Sequence, residues 1–306
     1  MNSKIYDCII IGAGPSGISC ALSLKEAGLD FLIIDFSTPG GKVNIAPRVD
    51  NYPGHKEIPG PDLAFVFFER LMNAGISVEG DKVVSLEKKN SIFSVECEFA
   101  TYYSKSIYIA SGTKERKVGL QKEDELLGHG ISYCALCDGH FFKEKPICVI
   151  GGGNSALKEA IHLSHIASHL TLIHRRNEFR GNDKLVEELK EKENVTILTP
   201  YIPVEILGED HVIGLRIKNV QTEEEKVLDI DGLFPLVGQI PNTQFIKIDN
   251  VVDEYGTIPV DKEHLSKEVG LFAGGDVLPR PIRQIYLAEH DGSVAAKSII
   301  KFVKGE

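Results

Sequence analysis

Two cysteines and an acid stand together in "SYCALCDGHFF", residues 132–142. Cys134 and Cys137 are separated by two residues, and Asp138 follows at once. By itself the stretch fits three chemistries: a structural thiol pair, half of a zinc site, or the working end of a redox enzyme. In redox work the thiolate is the nucleophile, and its leaving partner needs a proton from a nearby group. Asp138 can supply that proton if partial burial raises its pKa. A zinc site needs two further cysteine or histidine ligands at suitable spacing. His140 could be a third, but the chain has no second Cys-x-x-Cys, and a closed zinc site has no use for Asp138. The other cysteines read as small buried hydrophobes: Cys8, Cys97 and Cys148 sit in strand-like runs and Cys20 on an apolar helix face.

The elements that must position this stretch are two strand–glycine–helix–strand units. Tyr6 to Ile11 is an apolar run expected of a parallel strand buried on both faces. Gly12-Ala-Gly14-Pro-Ser-Gly17 follows, then a helical period closed by Gly28, then a strand in "DFLIIDF" that ends at Asp35. In that context Gly12 permits the tight turn, Gly14 the approach of a pyrophosphate, and Gly17 close packing of helix on strand. Asp35 is placed to accept from ribose hydroxyls.

The pattern recurs in Gly151-Gly-Gly153-Asn-Ser-Ala156, 23 positions before His174 just as Gly12 lies 23 before Asp35. His174, Arg175 and Arg176 thus occupy the register of the acid, and Arg180 can join them from the following loop. A carboxylate there suits a free 2′-hydroxyl, whereas arginines suit a 2′-phosphate. The two units are expected to hold one non-phosphorylated adenine dinucleotide and one NADP.

After about Thr243 no third unit begins. "GLFAGGDV" and a helix expected over 281–303 read as the return of the first domain. The fold class expected is α/β, with two Rossmann-like (FAD/NAD(P)-binding) three-layer domains, the second inserted in the first. The boundaries are 1–113 with 244–306, and 114–243. The two crossings between them would make a natural hinge.

The 306 residues are 42% hydrophobic and 25% charged, an ordinary folded balance. A formal net charge of −10 argues against general nucleic-acid binding. No segment approaches the roughly 18 apolar residues of a membrane span, and "MNSKIYDCIIIGAG" does not read as a signal peptide. A cytoplasmic location is expected.

With these pieces placed, nearly the whole chain resembles the low-molecular-weight (bacterial-type) thioredoxin reductases, among the FAD/NAD(P)-dependent pyridine nucleotide-disulfide oxidoreductases. The stretches that carry the resemblance are "GAGPSG", "PGGKVNIAPRVDNYPG", "ASGT", "SYCALCDG", "GGGNSA", "HRRNEFR", "VGQIPNT" and "FAGGDV…IRQ". The resemblance implies FAD on the first fold, with Gly12, Gly14, Gly17 and Asp35 at its ADP half. Asn51 and Asp276 would lie along the flavin and ribityl chain with Gln284 nearby. It implies NADPH on the second fold, with Gly151, Gly153 and Ala156 at the pyrophosphate and His174, Arg175, Arg176 and Arg180 at the 2′-phosphate side. Cys137 matches the cysteine that faces the flavin, Cys134 the interchange thiol, Asp138 the acid/base group, and Phe141 an aromatic that docks the partner. The implied activity is electron transfer from NADPH through FAD and a Cys134–Cys137 disulfide to oxidised thioredoxin, by a homodimer that uses two orientations of its nucleotide domain.

Several positions leave the family's pattern. Lys42 stands near the flavin site where glutamine is usual, and Lys158 precedes Glu159 where a second acid is common. His140 replaces a phenylalanine, and Glu289 and His290 stand where small residues usually precede Asp-Gly. They keep open a disulfide reductase of the same architecture with another donor, such as ferredoxin or a second flavin, or another protein target.

Overall fold

Strand β1 (Ile5–Ile11) is apolar on both faces because both faces are covered. The computed structural model to which it belongs describes residues 4–46, 49 and 51–306, with the side chains of Leu136 and Cys137 outside that description. Helix α1 (Pro15–Glu26) follows, with proline at its first position. It closes on Gly28 at φ 72°, while Leu29 N–H bonds back to Leu24 O. Then come β2 (Phe31–Ile34), α2 (Gly60–Asn73), β3 (Val78–Glu79), β4 (Val83–Lys89), β5 (Ile92–Cys97), β6 (Thr101–Ile109) and β7 (Thr113–Glu115). The middle of the chain supplies α3 (Ala135–Asp138), β8 (Pro146–Ile150), α4 (Asn154–Ser164), β9 (His169–Ile173), α5 (Asp183–Lys190), β10 (Val195–Leu198), β11 (Tyr201–Leu207), β12 (Gly214–Asn219), β13 (Glu225–Asp229), β14 (Gly232–Pro235) and β15 (Gln239–Pro241). The chain ends with β16 (Leu271–Ala273) and α6 (Ile285–Lys304).

These elements form two units, Met1–Lys114 with Ile240–Glu306, and Glu115–Gln239. The chain passes between them at β7 and β15, which pair as a two-stranded ribbon. The second passage falls at 239/240 rather than at 243/244. Asn242 and Thr243 bond back within the first unit, to Ser111, Gly112 and Gly256.

The first unit has a seven-stranded sheet in the order β3-β2-β1-β6-β5-β4, with β16 also on β6. Cys8 and Ile10 of β1 point to a core shared with α1, α2 and α6, whereas Ile9 and Ile11 point to a core shared with the 245–278 return segment. Each fully buried side chain of that size contributes about 1.5–3 kcal/mol. The β4–β5–β6 part is an antiparallel meander, which the strand–helix alternation did not announce. Helix α6 begins at Ile285 rather than 281, because Gln284 is extended at φ −142° and ψ 151° and serves as its N-cap.

The second unit has a parallel sheet ordered β10-β9-β8-β14 and an antiparallel sheet β11-β12-β13. Ile147 and Val149 of β8 pack with α4 and α5, while Cys148 and Ile150 pack with residues of the antiparallel sheet. Both units are therefore α/β with a buried parallel centre.

Candidate functional site

In the first unit the glycine loop is shaped by contact. Gly12 adopts φ 108°, and a Cβ there would lie 2.4 Å from Ala110 O. A Cβ on Gly17 would lie 1.9 Å from Gly12 O, whereas one on Gly14 would meet nothing within 4 Å. Gly14 is also the N-cap of α1, and no side chain caps that end. An open, uncapped helix N-terminus with a bare backbone approach fits a dinucleotide pyrophosphate.

Asp35 follows β2 and is already engaged. Its Oδ2 accepts from Ala13 N–H at 2.6 Å, and its Oδ1 accepts from Ser37 N–H at 2.8 Å and Ser37 Oγ at 2.9 Å. The acid therefore braces the glycine loop, with lone pairs left over for ribose hydroxyls.

The loop after Gly40 packs on the same turn: Gly40 N–H bonds Ala13 O at 2.7 Å, and a Cβ on Gly41 would lie 3.2 Å from Gly14 Cα. That loop carries Lys42, whose Nζ donates to Thr113 Oγ1 at 2.9 Å. Asn51 and Gln284, 233 positions apart, meet through Asn51 Nδ2 donating to Gln284 Oε1 at 2.8 Å.

Asp276 lies in the short 3-10 turn Gly275–Val277, and its carbonyl accepts from Arg283 Nε at 3.2 Å. Buried Asp291 fixes that turn by accepting from Gly275 N–H at 2.8 Å and pairing with Arg280 at 2.7 Å. His264 stands on the other oxygen of Asp291 at 3.6 Å. Of the two residues that break the pattern before it, Glu289 accepts from Tyr52 Oη and Arg70 at 2.8 Å each, and His290 is exposed. Neither the Asp291 cluster nor the Glu289 tie was anticipated.

In the second unit Gly153 caps α4, again with no side-chain cap and open space at its Cβ position. A Cβ on Gly151 would lie 2.5 Å from Ala156 Cβ, so those two small residues permit one another. His174 is set apart from the arginines beside it. Its ring is buried, stacks on Phe179 at 5.1 Å, and lies where a Cβ on Gly152 would be, 2.3 Å from its Cε1. Burial pushes its pKa down against a Glu178 backbone bond that raises it, and the Arg180, Arg175 and Arg176 charges add to the lowering, so the ring is a neutral support.

Arg180 N–H and Gly181 N–H both bond Gly152 O, folding the arginine loop back over the glycine turn. Arg175, Arg176 and Arg180 are exposed, and no carboxylate pairs with them among the described residues. Three unpaired guanidiniums beside an open helix N-terminus fit a phosphorylated ribose.

The redox stretch lies in the same unit. Cys134 is disulfide-bonded and precedes α3, whose Asp138 N–H bonds Cys134 O at 3.1 Å. Cys137 lies on α3, and its side chain is outside the described residues. Ser132 joins the motif: Cys134 N–H donates to its Oγ at 3.0 Å, and that Oγ donates to Asp138 Oδ2. Asp138 is 8% exposed, and its Oδ1 is buried without a partner among the described residues. Burial raises its pKa, opposed by the Ser132 bond and the charge of His140. An acid so placed holds its proton more tightly than a solvated aspartate does.

Behind the motif, Glu123 is 3% exposed and accepts from Val118, Gly119 and Leu120 N–H and from Tyr133 Oη. It anchors the residue just before Cys134. Phe141 is 52% exposed, with its ring tilted at 41° to that of His140 and the centroids 4.0 Å apart. The remaining cysteines are free and buried, and desolvation raises the thiols of Cys8 and Cys97 to about 12, which keeps them inert.

Residues 6–292 match the family model for pyridine nucleotide-disulphide oxidoreductases. The thioredoxin reductase of Ureaplasma parvum serovar 3 is 36% identical over 299 residues, covering 97% of this chain and 96% of that protein. The crystal structure of thioredoxin reductase from Streptococcus pyogenes MGAS5005 superposes with a TM-score of 0.88 at 34% identity, covering 99% of each chain. A ferredoxin-flavin thioredoxin reductase from Clostridium acetobutylicum gives 0.54 at 29% identity, covering 98% of this chain and 99% of that one. Two dinucleotide cradles, a Cys-x-x-Cys-Asp motif and full-length similarity lead to one assignment: the chain belongs to the pyridine nucleotide-disulphide oxidoreductases and, within them, to the thioredoxin reductase family.

Proposed function

We propose that the protein is an NADPH-dependent thioredoxin reductase, passing electrons through FAD and a Cys134–Cys137 disulfide to oxidised thioredoxin. The observation that carries the reading is a disulfide-bonded Cys134 linked through Ser132 to the buried carboxyl of Asp138. FAD, when bound, supplies the two-electron step between a nicotinamide and a disulfide.

The chain's own residues do the rest. Gly12, Gly14 and Gly17 would admit the FAD pyrophosphate, and Asp35, which braces the loop, would meet its ribose. Asn51 and Asp276 would lie along the flavin and ribityl chain, with Gln284 and Lys42 nearby. Gly151, Gly153 and Ala156 seat the NADPH pyrophosphate, and Arg175, Arg176 and Arg180 bind its 2′-phosphate, with His174 supporting the loop beneath them. Cys134 attacks the thioredoxin disulfide as a thiolate, Cys137 completes the exchange, and Asp138 gives and regains the proton that the leaving sulfur requires. Phe141 offers the partner an apolar contact beside the motif.

The unpaired arginine cluster favours NADPH over ferredoxin as donor, because a ferredoxin-linked reductase has no need of a 2′-phosphate site. The proposal includes a homodimer in the cytoplasm, with units 1–114 plus 240–306 for FAD and 115–239 for NADPH. No helix among the described residues is long and apolar enough to cross a membrane.

Anaerobic mixing with NADPH tests the reading: the flavin absorbance should bleach, far less readily with NADH, and thioredoxin should then reoxidise it. A flavin that neither nucleotide bleaches overturns the donor assignment. Bleaching without turnover on thioredoxin overturns the substrate.

A further inference from the structure

Helix α4 carries an acid that the reaction described above does not use. Glu159 Oε2 accepts from Ala135 N–H at 3.2 Å. Ala135 is fully buried, directly follows Cys134 and begins α3. The bond therefore ties the redox helix to α4 one peptide away from the interchange sulfur. We propose that Glu159 is a positioning residue of the redox motif, whose carboxylate holds the Ala135 amide and thereby sets the reactivity of Cys134. The proposal rests on the reductase reading and adds to it a second acid with a task different from that of Asp138.

The argument is electrostatic. An amide N–H beside a sulfur favours the thiolate, and a carboxylate bound to that amide takes up the donor and adds a like charge. Ionised Glu159 keeps α3 in place and makes the thiolate costlier. Protonated Glu159 loosens the bond and removes the opposing charge.

The groups that face it set the range. Glu115 of β7 adds negative charge. Asp138 ends α3, with Ser132 on its Oδ2. His140 follows α3, Lys158 and His162 share α4, and a Cβ on Gly139 would lie 4.0 Å from His162 Nε2. Desolvation is the main effect on Glu159, opposed by the Ala135 bond and reinforced by Glu115, and its pKa is raised to about 7. On this proposal the reactivity of Cys134 in the reduced protein follows the charge of Glu159 across neutral pH.

The test uses holoenzyme reduced with dithiothreitol. Iodoacetamide alkylation of Cys134 is followed from pH 5 to 9 by tandem mass spectrometry. Wild type should give a two-step profile. Glu159→Gln keeps an acceptor for the amide but no charge, so its profile should collapse to one step about one pH unit lower. Between the titration of Glu159 and that step the thiolate fraction rises about tenfold over wild type, and the lower nucleophilicity of a more acidic thiol leaves roughly a three- to fourfold faster rate. Glu159→Asp should retain two steps.

A Gln profile that superimposes on wild type, with only thermal stability altered, overturns the proposal. If Glu159→Gln does not fold, the wild-type profile decides alone, since a single step there is equally fatal. Flavin bleaching by NADPH in the same samples separates the two readings. Bleaching with a one-step profile keeps the reductase and sinks the proposal. Absence of bleaching sinks the reductase, and with it the task assigned to Glu159.

Discussion

Replacing Arg175 and Arg176 together with alanine tests the proposed recognition of the 2′-phosphate. Both guanidiniums are exposed, and no carboxylate pairs with them among the described residues, so their loss breaks no internal contact. A charge-assisted hydrogen bond is worth about 1.5–3 kcal/mol, and exposed groups sit near the low end because water screens them. Two such losses come to about 3 kcal/mol, roughly a hundredfold in KM for NADPH. The value for kcat should hardly move, because the contact is made equally in ground and transition states. NADH, which has a hydroxyl at that position, should be turned over within about twofold of wild type.

The assay is an initial-rate series in each nucleotide with thioredoxin as acceptor, repeated at about 0.01 M and 0.1 M salt. The screening length shortens from about 30 to 10 Å over that interval. Wild-type KM for NADPH should climb with salt while the variant stays nearly flat. Thermal stability should be unchanged. A KM for NADPH within about threefold of wild type, in a variant that melts normally, refutes the assignment and makes the cluster a solvated surface.

Cys134→Ser should abolish thioredoxin turnover while NADPH still bleaches the flavin in stopped flow, and loss of bleaching would contradict the separation of roles. Gly292→Ala should force α1 and α6 apart, since its Cβ would lie 2.1 Å from Ser16 O. An overpacking cost of about 2–3 kcal/mol should lower the melting temperature by about 5–10 °C in differential scanning fluorimetry. Glu123→Ala strips the Val118, Gly119 and Leu120 amides and Tyr133 Oη of a buried acceptor. It should cost about 3 kcal/mol in urea unfolding and slow thioredoxin turnover more than flavin bleaching, and equal slowing of both would mean that Tyr133 does not position the motif.

The glycine loops, the cysteine pair and the arginine loop were legible because each is local. A turn, a spacing and a register of 23 positions leave their mark within a short span. What holds them in place was not legible. Ser16 Oγ and Tyr108 Oη meet at 2.6 Å across 92 positions, and Asn51 reaches Gln284 across 233. Such contacts follow no period. Asp291 looks from the sequence like a polar residue on an amphipathic helix, and only folding brings Arg280, His264 and the Gly275 amide around it. The register of 23 positions put His174 at the head of the arginine cluster. The strand end turns its ring inward while theirs stay in solvent. Glu159 drew attention only for the lysine before it, since nothing local relates α4 to the Ala135 amide.

The pairing of β16 with β6 has a consequence for how the chain is made. Ile107, Tyr108 and Ile109 are fully buried, and one edge of that segment is closed by the Gly270–Gly274 stretch that carries Leu271, Phe272 and Ala273. From Ile109 to Leu271 the chain runs 162 positions. At roughly 5–20 residues per second the ribosome needs about 10–30 s to deliver the closing strand. Within that interval the whole of Glu115–Gln239 emerges and can fold, while the segment made first still presents an open apolar strand edge. The order of completion therefore reverses the order of synthesis, and nascent chains should depend on chaperones most between the appearance of residue 109 and that of residue 273.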